Sequence, residues 1–341
     1  MKSVPLNSIG EEEWTDFVLN KEEKQDNGDE VPFHHRKQLD FSGNQLFTIP
    51  YEIYSCFSLE TLNISNNFIK EVPEEFSDLS QLKEINFASN QLGAHQKILY
   101  FPFSNLLSLD LSNNSLDEVP HRLRNLQKLK YLNLSNNHIR ELPSFIKNIT
   151  CLEFLNLNNN ELATISSDIF HLNSLVEFHA YNNRIVSLQS VIFPANLKKI
   201  DLNNNLLTQI HPSSLSFTNN LEVLCLSSNK LCFLDEELFF VQLSSLKELY
   251  LASNQIKELP RSIGKLGHLT FLNISNNSII QLPNSFGRLV SLETLYINSN
   301  SLYNLPRAFG HLNKLKFLDI SGKFLPLPFN YFRNSFLILI P

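Results

Sequence analysis

Apolar and polar positions along this chain follow a short pattern that stops and begins again at nearly constant intervals. In "LKYLNLSNNHIRELPSFIKNIT", which starts at Leu129, Leu132 and Leu134 sit at alternate positions, as on the buried face of a short strand. "LEFLNLNNNELATISSDIFHLNS" repeats the pattern from Leu152, and the shared frame is L-x-x-L-x-L-x-x-N-x-L. Its asparagine recurs as Asn44, Asn67, Asn90, Asn114, Asn137, Asn160, Asn183, Asn205, Asn229, Asn254, Asn277 and Asn300, at spacings of 22 to 25 residues. A thirteenth copy starts at Leu315 and places Lys323 at that position. Self-similarity at such a period predicts a solenoid: each unit supplies one strand to a parallel sheet, and a segment such as "ELPSFIKNIT" returns along the other side as a turn with a short helix or 3-10 piece.

The frame and its tails resemble the leucine-rich repeat family over residues 36–327. "IP", "VP", "VP" and "LP" follow the strand in repeats 1, 2, 4 and 5, and "LP" returns in repeats 10 to 13. With the downstream xxIxxLxxL this is similar to the intracellular, Ras-group type, although repeats 3 and 6 to 9 depart from it. The resemblance implies an α/β solenoid: a right-handed horseshoe of about 13 repeats, with a parallel β-sheet on its concave side. The expected organisation is an acidic tail or cap over 1–33, the repeat domain over 34–327, and an apolar tail or cap over 328–341.

The recurring asparagine has a physical reason. It falls where backbone amides leave the sheet, and a carboxamide both donates and accepts, so a stacked row can satisfy buried backbone groups. Lysine only donates and is costly to bury. Lys323 is therefore expected where no following repeat requires a partner, marking the end of the stack. Among the 27 phenylalanines, Phe170, Phe240, Phe286 and Phe309 are expected to form a core spine on the return side.

In the strand frame, positions 3, 5 and 7 point outward from the concave sheet. Position 5 is Asp or Asn in the first six repeats: Asp40, Asn63, Asn86, Asp110, Asn133 and Asn156. From repeat 7 onward His179, Cys225, Tyr250 and Tyr296 break that rule. Position 3 adds Phe271 and Phe317, so Tyr250, Phe271, Tyr296 and Phe317 lie on four consecutive strands. At about 4.8 Å per strand they predict an aromatic strip roughly 15 Å long, the kind of surface that protein-binding hot spots use. Tyr131, Phe154, His179 and Tyr181 are a second candidate cluster.

Composition narrows the chemistry. The net charge of −6 is all carried by residues 1–33, which hold three Lys and nine Asp/Glu, so the remainder is neutral. No basic stripe suited to a phosphate backbone stands out, and no nucleic-acid partner is expected. No signal peptide or membrane span is read, and the cysteines (Cys56, Cys151, Cys225, Cys232) show neither metal-ligand nor disulfide spacing. No phosphate loop, dinucleotide fingerprint, metalloprotease His pair or nucleophile elbow is present, so no catalytic residue, cofactor, metal or small-molecule substrate is expected. "KEINF" at 83–87 matches a phosphatase-docking pattern, but Ile85 and Phe87 are inward strand positions.

The expected function is a non-catalytic scaffold or adaptor that binds partner proteins through its concave face in cytoplasmic, or nuclear, signalling. The alternatives are a substrate-recruiting subunit of a ubiquitin ligase and a regulatory subunit of a phosphatase.

Overall fold

A computed structural model of the chain describes residues 32–93, 103–189, 191–235 and 240–321, together with the backbone of 337–339. The chain divides into two compact units, Met1–Ile139 with Asn148–Asn156, and Arg140–Lys147 with Leu157–Pro341. The acidic tail, Lys323 and most of the apolar C-terminal stretch lie outside the described residues.

The first unit contains strands β1 (Gln38–Asp40), β2 (Thr61–Asn63), β3 (Glu84–Asn86), β4 (Ser108–Asp110), β5 (Tyr131–Asn133) and β6 (Phe154–Asn156). Each pairs in parallel with the next, position 5 against position 5, as in Asp40 with Asn63 and Asp110 with Asn133. The second unit contains β7 (Glu177–His179), β8 (Lys199–Asp201), β9 (Val223–Cys225), β10 (Glu248–Tyr250), β11 (Phe271–Asn273), β12 (Thr294–Tyr296), β13 (Phe317–Asp319) and β14 (Leu337–Leu339), paired in the same way. The β14 backbone, with Leu337 opposite Phe317, places part of the apolar C-terminal run against the last repeat strand.

The inward positions of each three-residue strand, and those flanking it, stack from repeat to repeat. Leu246, Leu249 and Leu251 of one repeat and Leu269, Leu272 and Ile274 of the next are fully buried. Burial of each such side chain contributes about 1.5–3 kcal/mol before the entropy of chain ordering offsets most of it. Ile85 and Phe87 belong to this core, so "KEINF" presents no docking motif to a phosphatase.

The strand ends where position 8 adopts a left-handed conformation. Gly43, Asn66, Ser89, Asn113, Asn136, Asn159, Asn182, Asn204, Ser228, Ser253, Asn276 and Ser299 occupy this position, all with φ between 52° and 73°. Asparagine and glycine reach that region at low cost, which explains the recurrent "NN"; serine holds the position at 89, 228, 253 and 299.

The ladder asparagine follows at position 9 and bonds backward. Asn254 donates to Leu226 O at 3.0 Å in the preceding repeat, and to its own Leu251 O at 3.1 Å and Ala252 O at 3.3 Å. Its Oδ1 accepts from Leu231 N at 3.0 Å, again in the preceding repeat. Asn67, Asn114, Asn183, Asn229, Asn277 and Asn300 all donate to the preceding repeat in the same way. A ladder residue therefore serves the repeat before it; Lys323, expected to mark the end of the stack, lies outside the described residues.

On the return side the expected helices are 3-10 turns, such as Arg261–Lys265, Asn284–Arg288 and Arg307–His311. Proline precedes each of these, with φ of −65°, −69° and −64°, so the turn starts on a residue already fixed in φ and with no amide to satisfy. The spine is corrected at one point. Phe240, Phe286 and Phe309 are buried, the last two with parallel rings 6.1 Å apart, but Phe170 is 38 % exposed and Ile169 takes the core position.

Candidate functional site

The outward face of the strands is where residue type varies most, because core packing does not constrain it. At position 5 the Asp and Asn side chains have a local duty: each accepts from the backbone amide two residues later, where the strand has run out. Asp110 Oδ1 takes Ser112 N at 2.8 Å, Asp201 takes Asn203 N at 3.0 Å, Asn273 takes Ser275 N at 3.1 Å, and Asp319 takes Ser321 N at 2.9 Å. A pattern of acidic or amide residues every 23 or so positions is thus a backbone cap more than a solvated surface.

Three of the four repeats that break this rule hand the duty to a neighbour. Beside His179 the Tyr181 amide is taken by Asn158 Oδ1 of the preceding repeat at 2.7 Å. Beside Cys225 the Ser227 amide is taken by Asn203 Oδ1 at 2.6 Å. Beside Tyr250 the Ala252 amide is taken by Ser227 Oγ at 3.1 Å. Position 5 is thereby released from backbone work in β7, β9 and β10, so it is free to carry His, Cys or Tyr.

Tyr250, the released position of β10, begins a continuous ring stack that runs through Phe271, Tyr296 and Phe317 in the second unit. Ring centroids are 4.7 Å apart for Tyr250 and Phe271, 5.8 Å for Phe271 and Tyr296, and 5.0 Å for Tyr296 and Phe317. Successive rings are tilted by 33°, 46° and 44°, within the offset arrangements that aromatic quadrupoles favour. All four are half-buried, so each ring leaves part of its surface open. Tyr250 also donates its hydroxyl to Glu248 Oε2 at 2.8 Å. Burial, and then the carboxylate beside it, hold this phenol well above the ordinary tyrosine range.

The second candidate cluster divides between the two units. In the first, Tyr131 and Phe154 stack face to face at 4.6 Å and 6°, and burial and then Asp110 raise the Tyr131 phenol. In the second, His179 is only 8 % exposed, with Nε2 2.9 Å from Glu177 Oε2, and it offers little surface; Tyr181 is 39 % exposed.

Cys225 shares the row with Tyr250 but is 6 % exposed, and burial followed by Asp201 pushes its thiol up to about 12. Burial likewise raises Cys56 to about 11, whereas Cys151 and Cys232 are exposed. A polar maleimide at neutral pH is expected to label Cys151 and Cys232 first, and Cys225 at least about tenfold more slowly. Peptide mass spectrometry against time reads this directly, and equal rates for Cys225 and Cys232 would contradict the packing described.

A charge row at position 2 escaped the sequence reading. Glu60 lies 3.0 Å from Lys37 and 2.5 Å from Lys83, Lys130 lies 2.8 Å from Glu153, and Glu222–Lys247 and Glu293–Lys316 are both 2.6 Å apart. Bonding to lysine holds the Glu60 and Glu222 carboxyls below the usual range and raises the Lys130 ammonium. Exposed pairs of this kind add little stability, but they commit these lysines locally. Among the described residues no helix is long and apolar enough to cross a membrane, and no group of three His, Cys, Asp or Glu is placed to hold a metal ion.

The family model described as "Leucine-rich repeat region" matches residues 87–204 and 197–324, and "Leucine Rich Repeat" matches 58–79. In sequence the chain is similar to the mouse leucine-rich repeat and calponin homology domain-containing protein 1, at 39 % identity over 57 residues. That stretch is 17 % of this chain and 8 % of the relative. In structure it is similar to an internalin, InlF, from Listeria monocytogenes, with a TM-score of 0.71 and 23 % identity over 94 % of this chain and 92 % of that one. A TLR13–ssRNA13 complex aligns with a TM-score of 0.74 and 25 % identity over 84 % of this chain and 43 % of that one. The latrophilin 3–Unc5D–FLRT2 octamer aligns at 0.64 and 23 % identity, over 84 % of this chain and 81 % of that one.

Proposed function

Since the chain belongs to the leucine-rich repeat family, we propose that it is a non-catalytic interaction module that captures partner proteins on the outward face of strands β10 to β13. The observation that carries this is the continuous stack of Tyr250, Phe271, Tyr296 and Phe317. Rigid aromatic side chains bury large area at low entropic cost, which is what a protein-binding hot spot requires. The release of Tyr250 from backbone capping, through Ser227, adds weight, since packing alone does not call for that rearrangement. The FLRT2 repeat domain, solved within a multi-protein complex, is an instance of the same fold assembling with other proteins. An adaptor or scaffold role in cytoplasmic signalling, as the Ras-type "LP" tails suggest, is the finer reading.

The triple variant Tyr250→Ala/Phe271→Ala/Tyr296→Ala tests the site. Capture of the native partners by the full chain is expected to fall about tenfold or more, as loss of clustered hot-spot aromatics does. The thermal unfolding midpoint should move only slightly. Phe47→Ala/Phe68→Ala removes another exposed ring pair, 5.4 Å apart in the first unit, and should leave capture unchanged. Equal capture by the triple variant and the wild type would reduce the strip to strand surface.

A further inference from the structure

The charges around the strip point to the chemistry of its partner. At the outward positions 3, 5 and 7 of β7 to β13, the carboxylates are Glu177, Asp201, Glu248 and Asp319, and Lys199 is the single cation. From β9 to β13 these positions carry no lysine or arginine at all. The nearest lysines in the frame, Lys247 and Lys316, are held by Glu222 and Glu293 at 2.6 Å each. The strip itself ends on carboxylates. Glu248 stands in register with Phe271 and accepts the Tyr250 hydroxyl at 2.8 Å, while Asp319 stands in register with Tyr296 on the strand that carries Phe317.

We propose that the strip recognises an extended, arginine-bearing peptide segment laid across the strands, with guanidinium groups on the ring faces and against Glu248 and Asp319. This rests on the strip being a protein-binding site. An aromatic face attracts a cation through its quadrupole, and a planar guanidinium can stack on a ring while its N–H fork meets a carboxylate. The two ends are three strand spacings apart, roughly 15 Å, and four residues of extended chain cover about 13 Å. Arginines four apart would therefore reach both ends, with the side chain midway between them over Phe271 and Tyr296.

Other partners fit less well. A wholly apolar segment would bury Glu248 and Asp319 without cations, at a large desolvation cost. An acidic segment or a phosphate backbone would meet carboxylates where it needs lysine or arginine.

Selection of a random dodecapeptide display library on the full chain tests this, with counter-selection on Tyr250→Ala/Tyr296→Ala. Strip-dependent binders are expected to be rich in arginine spaced about four apart. Their affinity should fall about tenfold in Glu248→Gln/Asp319→Asn, and it should weaken as salt is raised. Arginine-to-lysine replacement in a selected peptide should also weaken binding. Strip-dependent binders without basic residues, or binders indifferent to the charge variant, overturn the arginine inference and leave the site standing. An empty selection, or binders indifferent to Tyr250→Ala/Tyr296→Ala, overturns both.

Discussion

Asn254→Leu is expected to destabilise the second unit by about 3 kcal/mol, because it strands the buried Leu231 amide and takes one donor from each of three carbonyls. Asn254 is itself buried and serves Leu226 O, Leu251 O and Ala252 O with its amide nitrogen and Leu231 N with its oxygen. Leucine matches the carboxamide roughly in size, so cavity formation is a small part of the loss. What remains is a buried Leu231 amide with its acceptor gone, while Leu226 O keeps Asn229, Leu251 O keeps Asn277 and Ala252 O keeps the Ser228 amide. Asn273→Ala is the contrast: this half-buried side chain on the sheet face accepts from Ser275 N, beside solvent, and its loss should cost about 1 kcal/mol. Urea unfolding of the two variants under one set of conditions separates them. Similar midpoints would mean that the buried row does not carry the stability assigned to it.

A second large effect is expected on the return side, at Gly287→Ala. A Cβ built on Gly287 would come 2.2 Å from the Ala308 carbonyl oxygen and 2.7 Å from the Ala308 Cβ, both belonging to the next repeat. Neither atom is the end of a flexible side chain, so the 3-10 turns Asn284–Arg288 and Arg307–His311 must separate to admit a methyl group. The cost is expected at the upper end of the roughly 1–3 kcal/mol typical of overpacking, or beyond it. Gly267 has no neighbouring atom within 4 Å of such a Cβ and no left-handed backbone, so Gly267→Ala should be neutral or mildly stabilising. Thermal unfolding of the pair makes the comparison, and a harmless Gly287→Ala would contradict the close stacking of these turns.

The fold was legible because the restriction on each core position recurs at every repeat, so a single chain carries its own alignment. The aromatic strip was legible for a related reason: in-register parallel pairing turns frame position into spatial adjacency, and Tyr250 meets Phe271 as position 5 meets position 3 of the next strand. Features that depend on which partner an atom selects were not legible. The frame shows an asparagine at position 9 but not that it bonds backward. It shows Asp or Asn at position 5 but not that the side chain caps an amide two residues later. Ile169 and Phe170 are adjacent and both apolar, and only the path of the 3-10 turn decides which one enters the core. The lysine–glutamate row went unread because its partners lie 23 to 25 residues apart and alternate in sign from repeat to repeat.

The backward direction of the asparagine bonds bears on how the chain comes to be folded as it is made. A repeat emerging from the ribosome has its strand and its turn, but its position-11 amide waits for a carboxamide that is 20 to 23 residues further along. Each repeat is therefore completed by its successor, and ordered structure should trail emergence of the chain by about one repeat. A nascent chain that has emerged only as far as Leu251 would expose an unfinished turn at Leu231, and one that has emerged past Gln255 would not.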